Sequence, residues 1–130
     1  MFQNDNNKTN GAAAALKNAD SSFDLSILED MDDPEYTAEI INLFLKDTPP
    51  QLKEIRTALS SGASDTVYKT AHKLKSSAGI LQANQLIEFL AGIETMAKAG
   101  SLNEEVSGLL KKAEQECNSL EQKLKIYLKK

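Results

Sequence analysis

The sequence predicts an all-α protein, built as an antiparallel up-and-down four-helix bundle with a short additional N-terminal helix. Apolar residues recur at alternating steps of three and four along most of the chain, which places them on one face of an α-helix. Aromatic residues make up only 5% of the sequence and Trp is absent, and the Leu, Ile and Ala that dominate favour helices packed on helices. The predicted connections are short, and short connections join antiparallel neighbours.

The chain of 130 residues is about one domain long and can bury one core. Residues 1–20 are rich in Asn and Ala and carry no helical stripe of large apolar residues, so we predict a mobile N-terminal tail there. The bundle domain is predicted over residues 21–130. Its first element is a short helix with Asp24 as N-cap, and its apolar residues are Leu25, Ile27, Leu28 and Met31.

The second helical segment has two start signals. Asp33 followed by Pro34 is a good helix start, because Asp accepts hydrogen bonds from free amides and Pro is tolerated at the first helical position. A second start follows at Thr48-Pro49-Pro50-Gln51, where Thr48 and Gln51 have capping-box spacing. The segment therefore forms either two helices or one helix kinked at the prolines. Gly62 ends it.

Three more amphipathic helices complete the predicted bundle. The third segment is capped by Ser64 or Asp65 and runs to about Leu81, the fourth runs from about Asn84 to Lys98 and closes at Gly100, and the fifth opens at a capping box that starts at Ser101. The apolar stripe of the third segment comprises Val67, Ala71, Leu74, Ala78 and Leu81. That of the fifth comprises Val106, Leu110, Ala113, Cys117, Leu120, Leu124 and Tyr127.

Composition narrows the classes of function. The net charge of -4 provides no general attraction to nucleic acid or to an anionic membrane, so we predict neither as a partner. Cys117 is the only cysteine and cannot form an internal disulfide, and no signal peptide or membrane span is evident; both observations favour a cytoplasmic protein. The acidic run Glu29–Asp33 lacks the spacing of a calcium loop, and a single His without a second His or Cys at ligand spacing argues against zinc. We predict no metal and no cofactor.

The one histidine of the chain, His72, lies on the third segment. At about 100° per residue, His72 is roughly 140° from the centre of the apolar stripe and is expected to face solvent. The same geometry places Tyr68 and Lys69 one turn before it, Lys75 and Ser76 one turn after it, and Gly79 two turns after it. The imidazole is thus predicted to stand among cations and small residues.

This environment suits phosphoryl chemistry. An unperturbed imidazole has a pKa of about 6.5, so a neutral nitrogen is available near pH 7 to attack an acyl phosphate. The product carries roughly two negative charges, which Lys75 and Lys69 could stabilise. Ser76 and Gly79 leave room for a partner, although Gly79 could equally mark the fraying end of the helix. An exposed histidine on a helix is otherwise usually a solvated residue with no function.

The run AHKLKSSAGILQANQL from Ala71 to Leu86, followed by Ile93-Glu94, resembles the signature of histidine-containing phosphotransfer (HPt) domains of multistep two-component phosphorelays. The resemblance extends over about residues 24–128. It implies that His72 is the phosphoryl acceptor, that Lys75 is the cation beside the phosphate, and that Gly79 is a small residue on the docking face. Ser76 and Gln82 depart from the family pattern, because glycine is common at both positions.

The resemblance implies a signal-transduction carrier that takes a phosphoryl group from one receiver domain and delivers it to another. The expected partners are response-regulator receivers and a hybrid sensor histidine kinase, with Mg²⁺ bound by the receiver. The docking face is predicted to include Tyr68, Ser76, Gly79 and Gln82, with Gln85 and Glu88 as further guesses on the next helix. We expect a monomer and no enzyme activity, since no glycine-rich phosphate loop is present.

Two alternatives stay open at this point. The first is an interaction module whose helical surface binds a receiver or kinase while His72 carries nothing. The second is the dimerising helical domain of a sensor kinase, which is disfavoured because no acidic residue directly follows His72 and no ATP-binding segment is present.

Overall fold

The computed structural model describes residues 23–129, and these residues form five α-helices and no strand. The predicted tail at residues 1–20 lies outside the described residues. The helices are α1 (Ser26–Asp30), α2 (Pro34–Ser60), α3 (Ser64–Ile80), α4 (Asn84–Lys98) and α5 (Glu104–Leu128).

The four long helices form a closed bundle. Each packs on the next along the chain, and α2 also packs on α5, which closes the ring. Because three residues connect α2 to α3 and three connect α3 to α4, successive helices are antiparallel. The predicted all-α bundle is confirmed. Its core consists of the predicted stripes, with Val67, Ala71, Leu74, Val106, Leu110 and Leu120 fully buried.

The short helix α1 covers one end of the bundle, as predicted. Leu25 and Leu28 are buried, and the Tyr127 hydroxyl of α5 donates a hydrogen bond of 2.8 Å to Glu29. The Asp24 amide donates to the Leu81 carbonyl at the end of α3, at 2.9 Å. The start of the described chain is thereby held beside the α3–α4 turn.

Of the two alternatives left open for the second segment, the structure has the single helix, because α2 is continuous from Pro34 to Ser60 with both prolines inside it. Thr48 and Gln51 lie inside this helix and form no capping box. The face shared by Phe44, Leu52 and Ile55 is buried against the neighbouring helices, and this burial outweighs the two hydrogen bonds that prolines cannot donate. Both prolines are exposed on the outer side of α2.

The structure confirms some of the predicted helix caps and contradicts others. Asp33 caps α2 as expected, and its carboxylate accepts a hydrogen bond from the Tyr36 amide at 3.0 Å. The prediction of Ser64 or Asp65 as the cap of α3 is wrong, since α3 begins at Ser64 behind Ala63 and has no side-chain cap. The prediction of Ser101 for α5 is also wrong, because the side chain of Asn103 accepts from the two first-turn amides of that helix.

Helices α2, α3 and α4 end in the same hydrogen-bonded turn. At the end of α3 the Ala83 amide donates to the Ala78 carbonyl and the Gln82 amide to the Gly79 carbonyl, both at 3.1 Å. This turn requires a positive φ, and the equivalent residues after α2 and α4 are Gly62 (φ 75°) and Gly100 (φ 79°). Gln82 adopts φ 49° at the same position and therefore has a strained backbone.

Gln82→Gly is therefore expected to raise the free energy of unfolding by about 1 kcal/mol, since glycine adopts a positive φ without the clash of a Cβ. The measurement is the urea midpoint of the purified protein. Gln85→Gly is the matched control, because Gln85 is exposed in the first turn of α4, where glycine is expected to lower stability. A lower midpoint for Gln82→Gly would contradict the strain argument.

Candidate functional site

The imidazole of His72 stands on the outer flank of α3. Its side chain is 58% exposed, which confirms the orientation predicted from helical spacing. The preceding residue Ala71 and the nearby Leu74 are fully buried and fix this face of the helix against the core. The histidine therefore lies on a rigid element and is open to a partner.

Glu94 of α4 holds the imidazole from the neighbouring helix. Its Oε2 is 2.6 Å from His72 Nδ1, and its Oε1 is 2.6 Å from Lys75 Nζ. One carboxylate thus bridges the two residues that sequence reasoning had selected. The Glu94 side chain is only 15% exposed, so solvent weakens these contacts less than it weakens an open surface pair.

The charge state of Glu94 determines which imidazole nitrogen carries the proton. Burial raises the pKa of the Glu94 carboxyl, but the hydrogen bonds from Lys75 and His72 outweigh it and hold this pKa below its usual value. The group is therefore an ionised carboxylate at neutral pH and accepts hydrogen bonds only. It follows that Nδ1–H of His72 donates to Glu94 and that the neutral ring has its lone pair on Nε2. Within residues 23–129, no hydrogen bond involves Nε2.

The other residues predicted to lie near His72 each make contacts of their own. Lys69 is exposed and forms an ion pair with Asp65 on its own helix at 3.0 Å, and not with Glu94. Tyr68 is half-buried against the core, and Lys98 Nζ lies 5.5 Å from the centre of its ring. Ser76 is exposed, and its hydroxyl donates to the His72 carbonyl at 3.2 Å.

Two residues of the predicted docking face lie at the end of α3. Gly79 is the penultimate residue of the helix, and a Cβ placed there would meet no atom within 4 Å. No close contact within the described chain requires glycine at this position. Gln82 is half-buried in the turn that follows, and Gln85 and Glu88 are exposed on α4.

Glu94 is the site residue whose role sequence reasoning missed. The signal was available in the turn between α3 and α4. His72 lies ten residues before Gln82, and Glu94 lies eleven residues after Ala83, so an antiparallel pair folded at this turn brings them to the same level. Helical spacing within one segment could not reveal this contact.

The described residues contain neither a cluster of metal ligands nor a helix that could span a membrane. Across residues 23–129, no three His, Cys, Asp or Glu side chains come together in a way that could hold a metal ion. No described helix is both long enough and apolar enough to cross a bilayer. Burial raises the pKa of the Cys117 thiol to about 12, so this cysteine is an unreactive part of the core.

The geometry defines a small helical bundle that presents one imidazole, anchored by a carboxylate, to solvent. A family model described as the Hpt domain matches residues 39–125, which is more than half of the chain. The chain belongs to the Hpt domain family, as the resemblance of the His72 segment predicted. Hpt domains are phosphoryl carriers of phosphorelays and not catalytic enzymes.

The fold is similar to that of a solved member of this family. The crystal structure of histidine-containing phosphotransfer protein B (HptB) from Pseudomonas aeruginosa PAO1 matches with a TM-score of 0.79 at 20% sequence identity. The match covers 85% of this chain and 96% of HptB. No curated protein matches the chain in sequence.

Proposed function

We propose that this chain accepts a phosphoryl group on His72 Nε2 from the aspartyl phosphate of one receiver domain and delivers it to a second receiver. The observation that carries the proposal is the 2.6 Å contact between His72 Nδ1 and the Glu94 carboxylate on a side chain that is 58% exposed. An ionised carboxylate can only accept, so this contact favours a proton on Nδ1 and a lone pair on Nε2. A hybrid sensor kinase is the proposed origin of the group. The cytoplasmic location and monomeric state predicted from the sequence belong to the same proposal.

The transfer step needs no general base from this chain. The Nε2 lone pair attacks phosphorus, the bond from phosphorus to the aspartate oxygen breaks, and the aspartate leaves as a carboxylate. The proton on Nδ1 stays in place, so the phosphorylated ring is formally cationic. The Glu94 carboxylate, 2.6 Å from Nδ1, stabilises this charge as it forms.

Lys75 is the proposed cation for the phosphoryl oxygens. Its ammonium donates one hydrogen bond to Glu94 Oε1, and its two other N–H groups can donate to the oxygens of the incoming phosphoryl group. Lys69 is a weaker candidate, because Asp65 already pairs with it. The receiver's Mg²⁺ and its phosphate-binding groups supply most of the stabilisation of the transition state, while this chain contributes a positioned nucleophile.

The proposal is tested by incubating the full chain with phosphorylated receiver domains of the same organism, one at a time. At least one receiver is expected to transfer its label to this chain. The label should be lost in acid and kept in alkali, which distinguishes a phosphorus–nitrogen bond from a phosphoester or an acyl phosphate. Binding of a receiver without any such label would favour the alternative, an interaction module that carries no phosphoryl group.

A further inference from the structure

A furrow lies between α2 and α3, on the flank opposite Glu94. Its apolar walls include Leu43, Phe44 and Ile80, and its polar end is formed by Asp47, Thr48 and Gln51. Leu43 and Ile80 are 48% and 51% exposed, which is unusual for large apolar side chains that line a common groove. No helix of residues 23–129 covers them.

The furrow is continuous with the surface around His72. Ile80 follows His72 by eight residues on the same helix, which is about 12 Å along the axis and about 80° around it. Exposed Ser76 lies between them on that surface. A receiver domain that contacts His72 and Ser76 therefore reaches the furrow without leaving α3.

Two residues that line the furrow each have a buried polar atom without a hydrogen-bond partner. Thr48 is 4% exposed and its Oγ1 is unpaired, and the buried Oε1 of Gln51, one turn further along α2, is also unpaired. A buried polar atom without a partner is costly, so native proteins satisfy nearly all of them. Both atoms can accept hydrogen bonds and belong to residues that line the same furrow, but the atoms themselves have almost no accessible surface, so a donor placed there by a partner would satisfy them once the two side chains turn toward it.

Size and charge identify the kind of group that fits. The furrow has a volume of about 160 Å³, whereas sites for small molecules typically span about 300 to 1,000 Å³, so a single side chain is a better fit than a metabolite. Asp47 is exposed at its polar end, and no Lys or Arg is among its lining residues. A long basic side chain fits this furrow, because its apolar stem can pack against the apolar walls and its cationic head can donate hydrogen bonds at the polar end.

We propose that the furrow anchors one long basic side chain of the receiver domain that docks at His72. The stem lies between Leu43 and Ile80, and the head donates to Thr48 and Gln51 beside the Asp47 carboxylate. The inference rests on the proposed function, since it names the partner of the same surface. It adds an anchor on α2 that lies outside the His72–Lys75–Glu94 cluster.

The test measures binding of the receiver that labels the chain, by calorimetry, with Leu43→Ala, Asp47→Asn and the control Ile126→Ala. Ile126 is 62% exposed on α5 and is not part of the furrow. We expect Leu43→Ala and Asp47→Asn each to raise Kd about fivefold to tenfold, and the control to leave it unchanged. The effect of Asp47→Asn should shrink as salt is added, because an exposed ion pair is screened.

Phosphoramidate, a small phosphoryl donor that needs no docking surface, separates this proposal from the proposed function. Both furrow variants should be labelled on His72 by phosphoramidate at the wild-type rate. Wild-type Kd values for both variants would overturn the furrow as an anchor, and a wild-type Kd for Asp47→Asn alone would overturn the basic side chain. Failure of phosphoramidate to label the wild-type chain would instead count against His72 as acceptor.

Discussion

His72→Gln is expected to abolish phosphoryl acceptance completely. The carboxamide of glutamine has no nucleophilic lone pair comparable with that of imidazole Nε2, and His72 is the one histidine of the sequence. The measurement is transfer of label from the phosphorylated receiver that labels the wild type. Retention of an acid-labile label on the variant would place the acceptor elsewhere and reject the assignment.

A matched control distinguishes loss of the nucleophile from loss of the fold. Lys73 is the next residue on α3 and is also exposed, so Lys73→Gln changes the same helix without touching the imidazole or Glu94. It should accept label at the wild-type rate. Because the His72 side chain is 58% exposed and not part of the core, both variants should show the circular dichroism spectrum and melting temperature of the wild type within a few degrees.

Glu94→Gln is expected to slow transfer to His72 by about 100-fold while leaving receiver binding nearly unchanged. A carboxylate can only accept from Nδ1–H, whereas the amide of glutamine can also donate to Nδ1 and so move the ring proton to Nε2, where it blocks the attacking lone pair. The variant also loses the negative charge that stabilises the phosphorylated ring and holds Lys75. Single-turnover transfer at saturating receiver measures the rate.

A positioning role for Glu94 has a signature that a purely structural role lacks. Nitrogen NMR of the histidine ring should show the proton on Nδ1 in the wild type at a pH where the ring is neutral, and a larger share of the Nε2–H form in Glu94→Gln. Glu105→Gln is the control, since Glu105 is exposed on α5 and belongs neither to the His72–Lys75–Glu94 cluster nor to the predicted docking face. A transfer rate within twofold of wild type for Glu94→Gln would show that orientation of the ring does not limit the reaction.

Residue spacing and helix-end residues predicted much of the fold, because each of these sequence signals lies within a single helix. The alternating steps of three and four residues on α3 and α5 identified their buried faces, and Gly62 and Gly100 marked two helix ends. These signals failed, or left two alternatives open, where two of them competed. Ser101 and Asn103 both resemble N-caps, and at the Thr48 segment burial of the α2 face decided for one long helix.

In the candidate site, too, some features follow from spacing within one helix and others from packing between helices. His72 and Lys75 lie on one helix, so the periodicity of that helix was enough to place the first outward and the second beside it. Lys69 has the same sequence distance from His72 as Lys75, but it pairs with Asp65, which lies four residues before it on the same helix. Spacing within α3 is enough to indicate the Lys69–Asp65 pair, whereas the contact of Lys75 with Glu94 depends on how α4 packs against α3.

The amino-acid sequence by itself determined that the chain is helical, which faces of its helices are buried, and that a lone histidine points into solvent. These properties follow from side-chain spacing along a helix, which is a short-range geometry. Only the tertiary structure decided that Glu94 of α4 bridges His72 and Lys75, and that α2 and α3 leave a furrow lined by two residues that each have an unpaired polar atom. Both features arise from the packing of one helix against another, and the distances between their side chains are not encoded in the pattern of either helix alone.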